Sequence, residues 1–184
     1  MRERNNLIFA DLITAHAESN PDHDVLTFEG AGVRDDEIRT YSQLLENANR
    51  IAAGLISCGM QPGDRFGLLM RNHPEFVETM IATSITGCAF VPIDPRTRGD
   101  KLGYTLRNSE CKGIVCADYA LEQVEAIRDQ TPDLSWVLVL ESGEEAGAMA
   151  TADAANAEPL GALLDTRRGP APHKESRFIH AIVP

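Results

Sequence analysis

An α/β fold is predicted for this chain, with a predominantly parallel sheet, helices on both faces and a short N-terminal hairpin. Three observations predict it. Helical and strand-like segments alternate four times between residues 40 and 140. The run at 65–70 is apolar on both faces, as parallel strands covered by helices are. Glycine and proline mark the ends of the segments. Such alternation builds a parallel sheet with right-handed crossovers.

The composition fits one globular domain and excludes several functions. The chain has 184 residues, of which 43% are hydrophobic, and a net charge of −11 from 17 basic and 28 acidic side chains. An acidic balance argues against non-specific binding to nucleic acid or to an anionic membrane. No apolar run of about 18 residues and no secretory leader pattern is present, so we expect a cytoplasmic protein without a membrane span.

The four cysteines are expected to be buried and reduced. They show no Cys-x-x-Cys spacing and lie in or beside apolar runs. A disulfide pair or a metal site is the alternative. The positions are Cys58, Cys88, Cys111 and Cys116.

The first elements are a helix and a hairpin. Apolar residues recur at helical spacing from Leu7 to Ile13, and the sequence at 20–22 ends the pattern. His16 is expected at the edge of this helical face rather than as a catalytic base. Two short strands are predicted at 25–28 and 37–39, joined by a glycine-containing loop.

The helix that follows has clear signals at both ends. Thr40 and Gln43 have the spacing of a capping box, and Gly59 suits a left-handed C-terminal cap. One broad apolar face lies between these signals. Its residues are Leu44, Leu45, Ala48, Ile51, Ala52, Leu55 and Ile56.

The next unit repeats this pattern with a strand, a helix and a second strand. The strand at 65–70 precedes Pro74, which fits the first position of a helix, where its missing N–H costs nothing. Glu75 and Glu78 then lie at the positive end of that helix. Gly87 ends the helix, and a strand follows at 88–93.

Two weaker units complete the predicted sheet. A helix at 100–108 precedes a strand at 113–116, and a helix at 121–130 precedes a strand at 136–140. Residues 1–140 are therefore predicted to form an α/β subdomain.

A change of composition follows that subdomain. Residues 141–159 are rich in Ala, Glu and Gly, which predicts a mobile connector. Residues 160–184 are predicted to contain a short helix and a terminal strand at 178–183.

Candidate binding residues lie in two loops that follow predicted strands. Ligands in open α/β sheets bind beyond the carboxyl ends of the strands. The first loop contains Arg71, Asn72 and His73, and the second contains Asp94 and Arg96. A pairing of His73 with Asp94, or a small anion site, is one interpretation, and ordinary turn residues with solvated charges are the alternative.

Catalytic and metal-binding motifs are not evident in this sequence. It contains neither a Gly-x-x-x-x-Gly-Lys-Ser/Thr loop nor a Gly-x-Gly-x-x-Gly segment after a strand. The five histidines are too scattered to indicate a metal site. We therefore predict no catalytic residue and no metal ligand.

Several motifs in order resemble the adenylate-forming (AMP-binding) superfamily, which contains the acyl-CoA synthetases. TYSQL at 40–44 resembles the family's Thr-Tyr-x-Glu-Leu motif. GDRFGLLMRNHPEF at 63–76 resembles its Gly-Asp…Asn-x-Pro-Glu-Phe segment, and GCAFVPIDP at 87–95 resembles its Val-Pro-Ile-Asn/Asp-Pro motif. YTLRNS at 104–109 matches the helix that follows. The carnitine-CoA ligase-like and medium-chain acyl-CoA ligases look most similar.

The resemblance implies a parent enzyme that uses ATP, Mg²⁺ and coenzyme A to convert a carboxylate, such as a fatty acid, into a thioester through an acyl-adenylate. The family's phosphate loop would follow the strand at 178–183, and the chain ends at Pro184. We therefore expect an N-terminal portion that binds no cofactor and is inactive alone. Its expected partners are the rest of the synthetase, with a second α/β subdomain and a C-terminal domain.

Two further outcomes remain open. Without the second subdomain, exposed apolar surface would favour a homodimer. The alternative function is a non-catalytic binding or interaction module that keeps the subdomain fold.

Overall fold

The computed structural model describes residues 5, 7–30, 35–143, 154 and 156–164. Within these ranges the chain forms helices and strands in the predicted alternation. The helices are α1 Phe9–Ser19, α2 Tyr41–Ser57, α3 Pro74–Thr86, α4 Gly99–Asn108, α5 Leu121–Glu125 and α6 Gly161–Leu164. The strands are β1 Asp24–Phe28, β2 Glu37–Thr40, β3 Arg65–Leu69, β4 Ala89–Pro92, β5 Cys111–Ala117, β6 Trp136–Leu140 and β7 Ala157–Pro159.

Five of the strands form one parallel sheet in the order β4-β3-β5-β6-β7. Strands β1 and β2 form a separate antiparallel hairpin. The predicted fold class is therefore confirmed. Among the described helices, none combines the length and the apolar character needed to cross a bilayer.

Helices cover both faces of this sheet. On one face, α1, α2, α3 and α6 pack against sheet residues such as Phe66 and Leu138. On the other face, α4 and α5 pack against residues such as Ile114 and Val137. Successive residues of β6, and those of β5 from Ile114 onwards, thus point into two different cores, which explains why these stretches are apolar at every position.

The two predicted end signals of α2 are both confirmed. The Gln43 N–H donates to Thr40 Oγ1 at 3.3 Å, and the Thr40 N–H donates to Gln43 Oε1 at 2.9 Å. Gly59 has a φ of 84°. Its N–H donates to the Ile56 carbonyl, and the next N–H donates to the Leu55 carbonyl, which is the Schellman arrangement.

The helix predicted at 121–130 is shorter in the structure. Helix α5 ends at Glu125, and residues Arg128–Gln130 form a separate 3₁₀ turn. The Ile127 N–H donates to the Val124 carbonyl, an i to i−3 bond that tightens the turn. This tighter turn accompanies the burial of the Ile127 side chain.

The fifth strand of the parallel sheet, β7, lies inside residues 141–159, for which a connector was predicted. Strand β7 is parallel to β6 at the sheet edge, and Leu160 and Leu163, which follow it, are buried in the first core. This burial holds a short segment of low strand propensity in place. The other end of the predicted connector, at 144–153, and the strand predicted at 178–183 lie outside the described residues.

None of the four cysteines forms a disulfide, and three of them are buried as predicted. Cys88, Cys111 and Cys116 are buried, and Cys58 is half-buried. Burial raises the pKa of the Cys111 thiol to about 12, so this group stays protonated at neutral pH.

Candidate functional site

The carboxyl ends of the parallel strands meet at one edge of the sheet, and polar side chains cluster there. The loop at 71–73 follows β3, and the loop at 93–96 follows β4. Asp118 and Tyr119 follow β5, and Ser142 follows β6. Because ligands of open α/β sheets bind at this edge, it is the candidate functional site.

Tyr119 links the loop after β3 to the end of β5. Its hydroxyl accepts a hydrogen bond from the Arg71 backbone N–H at 2.6 Å and lies 3.2 Å from His73 Nε2. Its ring lies under the Arg71 guanidinium, with 4.8 Å from the guanidinium carbon to the ring centroid. The hydroxyl oxygen accepts from the Arg71 N–H, and depending on the His73 tautomer it donates its own proton to Nε2 or accepts one from it.

His73 is buried, although the sequence suggested a binding residue at this position. Its side chain is 2% exposed, and its ring stacks on Phe28 of the hairpin with 5.5 Å between centroids. Arg71 and Asn72, its neighbours, are exposed. The loop therefore anchors itself through His73 and presents the other two side chains to solvent.

Asp94 and Arg96 bind each other. Arg96 Nε donates to Asp94 Oδ1 at 3.0 Å, and Arg96 Nη2 donates to Oδ2 at 2.7 Å. These side-chain bonds, helped by the Arg96 backbone N–H, hold the pKa of the Asp94 carboxyl well below its usual range. The contacts described for His73 go to Tyr119 and Phe28, so the structure forms two separate clusters in place of the suggested His73–Asp94 pair.

A third cluster ties the ends of β5 and β6 together. The Ser142 N–H donates to Asp118 Oδ2 at 3.0 Å, and the Ser142 hydroxyl donates to Oδ1 at 2.6 Å. Sequence reasoning missed Asp118, Tyr119 and Ser142. Their position directly after predicted strands was the one signal that could have identified them.

The described residues do not on their own fit a magnesium–nucleotide complex. They contain no group of three His, Cys, Asp or Glu side chains that could hold a metal ion. The Asp94 carboxylate at this edge is already occupied by Arg96. Arg71 and Asn72 could contact an anion, but two exposed side chains do not form an enclosed phosphate site.

A cavity of about 400 Å³ lies at the opposite, amino edge of the sheet. Leu106, Arg107, Cys111, Lys112 and Thr131 are among its lining residues. Lys112 binds Asp64 with 2.7 Å between Nζ and Oδ1. Arg107 Nη1 donates to the Gln130 carbonyl. Both cationic groups of this lining therefore already have partners within the fold, and the carboxyl edge remains the candidate site.

The chain is therefore an open α/β domain, and its polar loops lie beyond the carboxyl ends of the parallel strands. Residues 13–178 match the family described as AMP-binding enzyme. The chain belongs to this family, and the predicted resemblance is confirmed.

Curated relatives of the chain are acyl-CoA ligases. The medium/long-chain-fatty-acid–CoA/3-oxocholest-4-en-26-oate–CoA ligase of Mycobacterium marinum is 31% identical over 139 residues, covering 76% of this chain and 24% of that protein. The mitochondrial medium-chain acyl-CoA ligase ACSF2 of Mus musculus is 32% identical over 110 residues, covering 60% of this chain and 17% of that protein. The chain thus spans about a quarter or less of their length.

Solved structures show the same fold. The apo structure of Mycobacterium smegmatis MbtA superposes with a TM-score of 0.72 at 23% identity, covering 93% of this chain and 29% of that one. The acetoacetyl-CoA synthetase of Streptomyces lividans superposes with a TM-score of 0.73 at 20% identity, covering 88% of this chain and 25% of that one. These likenesses show the architecture of the chain.

Replacing Tyr119 by phenylalanine is expected to loosen the loop after β3 and to lower the free energy of unfolding by about 1 kcal/mol. The variant keeps the ring under Arg71 and removes the acceptor of the Arg71 N–H and the partner of His73. Urea unfolding and the chemical shift of the Arg71 amide measure the effect.

The matched control is Tyr104→Phe, because Tyr104 is 61% exposed on α4. We expect it to unfold like the unchanged protein. A Tyr119→Phe variant with an unshifted Arg71 amide would show that the hydroxyl does not hold this loop.

Proposed function

We propose that this chain is the N-terminal portion of an ATP-dependent carboxylate–CoA ligase. In the proposed reaction, a carboxylate oxygen attacks the α-phosphorus of ATP, which gives an acyl-adenylate and diphosphate. The thiol of coenzyme A then attacks the acyl carbon, which gives the thioester and AMP. The observation that carries this proposal is the family match over residues 13–178, together with relatives that are named as acyl-CoA ligases.

The proposed substrate class is an apolar carboxylic acid of medium or longer chain. The names of both curated relatives described above specify substrates of this class. ATP, Mg²⁺ and coenzyme A are the proposed cofactors of the complete enzyme, and its place is in fatty-acid metabolism. The free thiols of Cys88, Cys111 and Cys116 support a reducing compartment, and we propose the cytoplasm.

The proposed contribution of this chain is one wall of the binding site. Arg71 and Asn72 face solvent at the carboxyl edge, where they can contact a ligand held by the rest of the synthetase. His73 acts as a positioning residue through Tyr119. Asp94 and Arg96 extend the same wall from the next strand of the sheet. Chemistry then requires the second α/β subdomain and the C-terminal domain, and the 184-residue chain is inactive alone.

An assay of diphosphate release tests this proposal. The chain is mixed with ATP, Mg²⁺, coenzyme A and a panel of short, medium, long and sterol-derived carboxylates. We expect no diphosphate from the 184-residue chain and release from the same chain extended by the coding sequence that follows residue 184. Turnover by the short chain would contradict its inactivity.

The non-catalytic module is the alternative outcome of that comparison. The non-catalytic module would be favoured if the coding sequence after residue 184 encoded no ligase segments and the 184-residue chain were a stable monomer. Sedimentation of the 184-residue chain also tests the proposed homodimer.

A further inference from the structure

A buried polar cluster lies between α2 and α3, beside the hairpin. Glu75, Glu78 and Thr79 share one face of α3, because residues three and four positions apart lie on the same side of a helix. Their exposed fractions are 6%, 0% and 0%. Arg39 approaches from β2 and Asn47 from α2. The structure thus encloses two carboxyl groups of α3 between α2 and the hairpin.

One guanidinium serves three carboxyl groups in this cluster. Arg39 Nε donates to Glu78 Oε1 at 3.0 Å, and its Nη2 lies 3.8 Å from Glu75 Oε1. The same Nη2 also lies 2.5 Å from Glu37 Oε2. If all three acids are ionised, the cluster carries a net charge of about −2 next to a low-dielectric core, which is unfavourable.

Three oxygens of the cluster have no hydrogen-bond partner among the described residues. They are Glu75 Oε2, Glu78 Oε2 and Thr79 Oγ1. By contrast, Glu78 Oε1 accepts from both Arg39 and Asn47, the latter at 2.8 Å. A buried carboxylate oxygen without a donor is costly, whereas a protonated one becomes a donor itself. On the same helix, the Glu75 carboxylate and the Thr79 hydroxyl oxygen both have acceptor capacity.

We propose that Glu78 Oε2 is a proton-binding site, and that the folded protein takes up one proton there at a pH where the unfolded chain does not. The proton comes from solvent, and the new O–H bond donates to the Glu75 carboxylate or the Thr79 hydroxyl oxygen. Glu78 Oε1 keeps its bonds to Arg39 and Asn47. The positive charge of Arg39 then faces two negative charges in place of three.

The groups around Glu78 support this assignment. Burial raises the pKa of its carboxyl above the ordinary 4.5; the Asn47 bond lowers it, the Glu75 charge raises it, and Arg39 lowers it through its bond and its charge. From β2, the Glu37 carboxyl group also binds Arg39. From α2, the group that contacts Glu78 is the Asn47 amide, which does not titrate. Helix α1 meets α3 further along, where the Ala10 N–H donates to Ser84 Oγ.

The sign of the resulting pH dependence follows from linkage. A carboxyl with a raised pKa in the folded state binds more protons there than in the unfolded chain. Stability therefore rises as pH falls through the folded pKa of Glu78. The gain is complete once pH falls below the unfolded value of 4.5.

Two measurements test the proposal. The first is a carbon-13 NMR titration of the Glu78 carboxyl in the unchanged protein, which is expected to give a midpoint above 4.5. The second compares the folding equilibrium constant of the unchanged protein with that of Glu78→Gln across pH. Glutamine mimics the protonated acid. The folding equilibrium constant of the unchanged protein, divided by that of the variant, should therefore rise by up to about tenfold per pH unit as pH falls from the folded pKa of Glu78 towards 4.5. Glu122→Gln, at an exposed site on α5, should show a flat ratio.

Three results would overturn the proposal. A Glu78 carboxyl that titrates at or below 4.5 would show that it is ionised in the fold, even if the variant does not fold. A ratio that stays constant with pH would show the same. A wild-type stability that rises with Na⁺ or K⁺ concentration and is insensitive to pH would assign the site to a cation.

Discussion

Replacing Gly113 by alanine is expected to lower the free energy of unfolding by about 3 kcal/mol, at the upper end of the range for overpacked cores. A Cβ atom at this position would lie 2.0 Å from Cε2 of the Trp136 indole. Gly113 pairs with Trp136 across β5 and β6, and β5 also pairs with β3 on its other side. Because the strand is held from both sides, it cannot move away from the added methyl group.

Urea unfolding followed by circular dichroism measures this loss. Gly161→Ala is the matched control, because a Cβ at that position would meet nothing within 4 Å. The same alanine is then introduced into a Trp136→Leu background, where the smaller side chain leaves room for the methyl group. We expect most of the cost to disappear there, which is a coupling between two neighbouring sites. An equal cost in both backgrounds would assign the effect to the backbone of β5 rather than to the indole.

Local signals explain why much of the fold was predictable. The capping box at Thr40 and the left-handed Gly59 act within one turn of α2, so a short sequence window contains both partners. The strand β3 and the helix α3 have the same advantage, since Pro74 marks the helix start and Gly87 its end. These elements matched the prediction within a residue or two.

The features that were missed depend on contacts between distant parts of the chain. Strand β7 consists of Ala157–Pro159, which has little strand propensity, and its place at the sheet edge depends on Leu160 and Leu163 in the core. Tyr119 lies 46 and 48 positions from His73 and Arg71, which its hydroxyl group contacts. No sequence spacing indicates such a contact, because the sheet topology alone brings these residues together.

These long-range contacts converge at the N-terminal end of α3, on His73 before the helix and on Glu78 in its second turn. Phe28 of β1 stacks on His73, Arg39 of β2 binds Glu78, and Tyr119 after β5 contacts His73. The hairpin therefore supports the same loop that presents Arg71 at the candidate site. We expect support from both the hairpin and the sheet to hold this loop in one conformation, which would reduce the entropy lost if a ligand binds there.

Arg39→Met is expected to have an effect as large as that of Gly113→Ala, with a loss of about 3 to 5 kcal/mol at neutral pH. Methionine retains apolar bulk and removes the positive charge beside Glu75 and Glu78, which are buried on α3. Removing one partner of a buried ion pair leaves the other uncompensated, and this is far more costly than losing an exposed pair. The hairpin also loses its polar link to α3.

Chemical unfolding of Arg39→Met at several pH values measures this loss. The loss should shrink in acid, because the carboxyls can then be neutralised by protons once the guanidinium is gone. Arg96→Met is the matched control: it breaks the Arg96–Asp94 pair, whose arginine side chain is 90% exposed, and should leave stability unchanged. Equal stabilities of the two variants would show that burial does not set the strength of the Arg39 contacts. A loss for Arg39→Met that is the same in acid and at neutral pH would assign the effect to packing of the arginine side chain rather than to its charge.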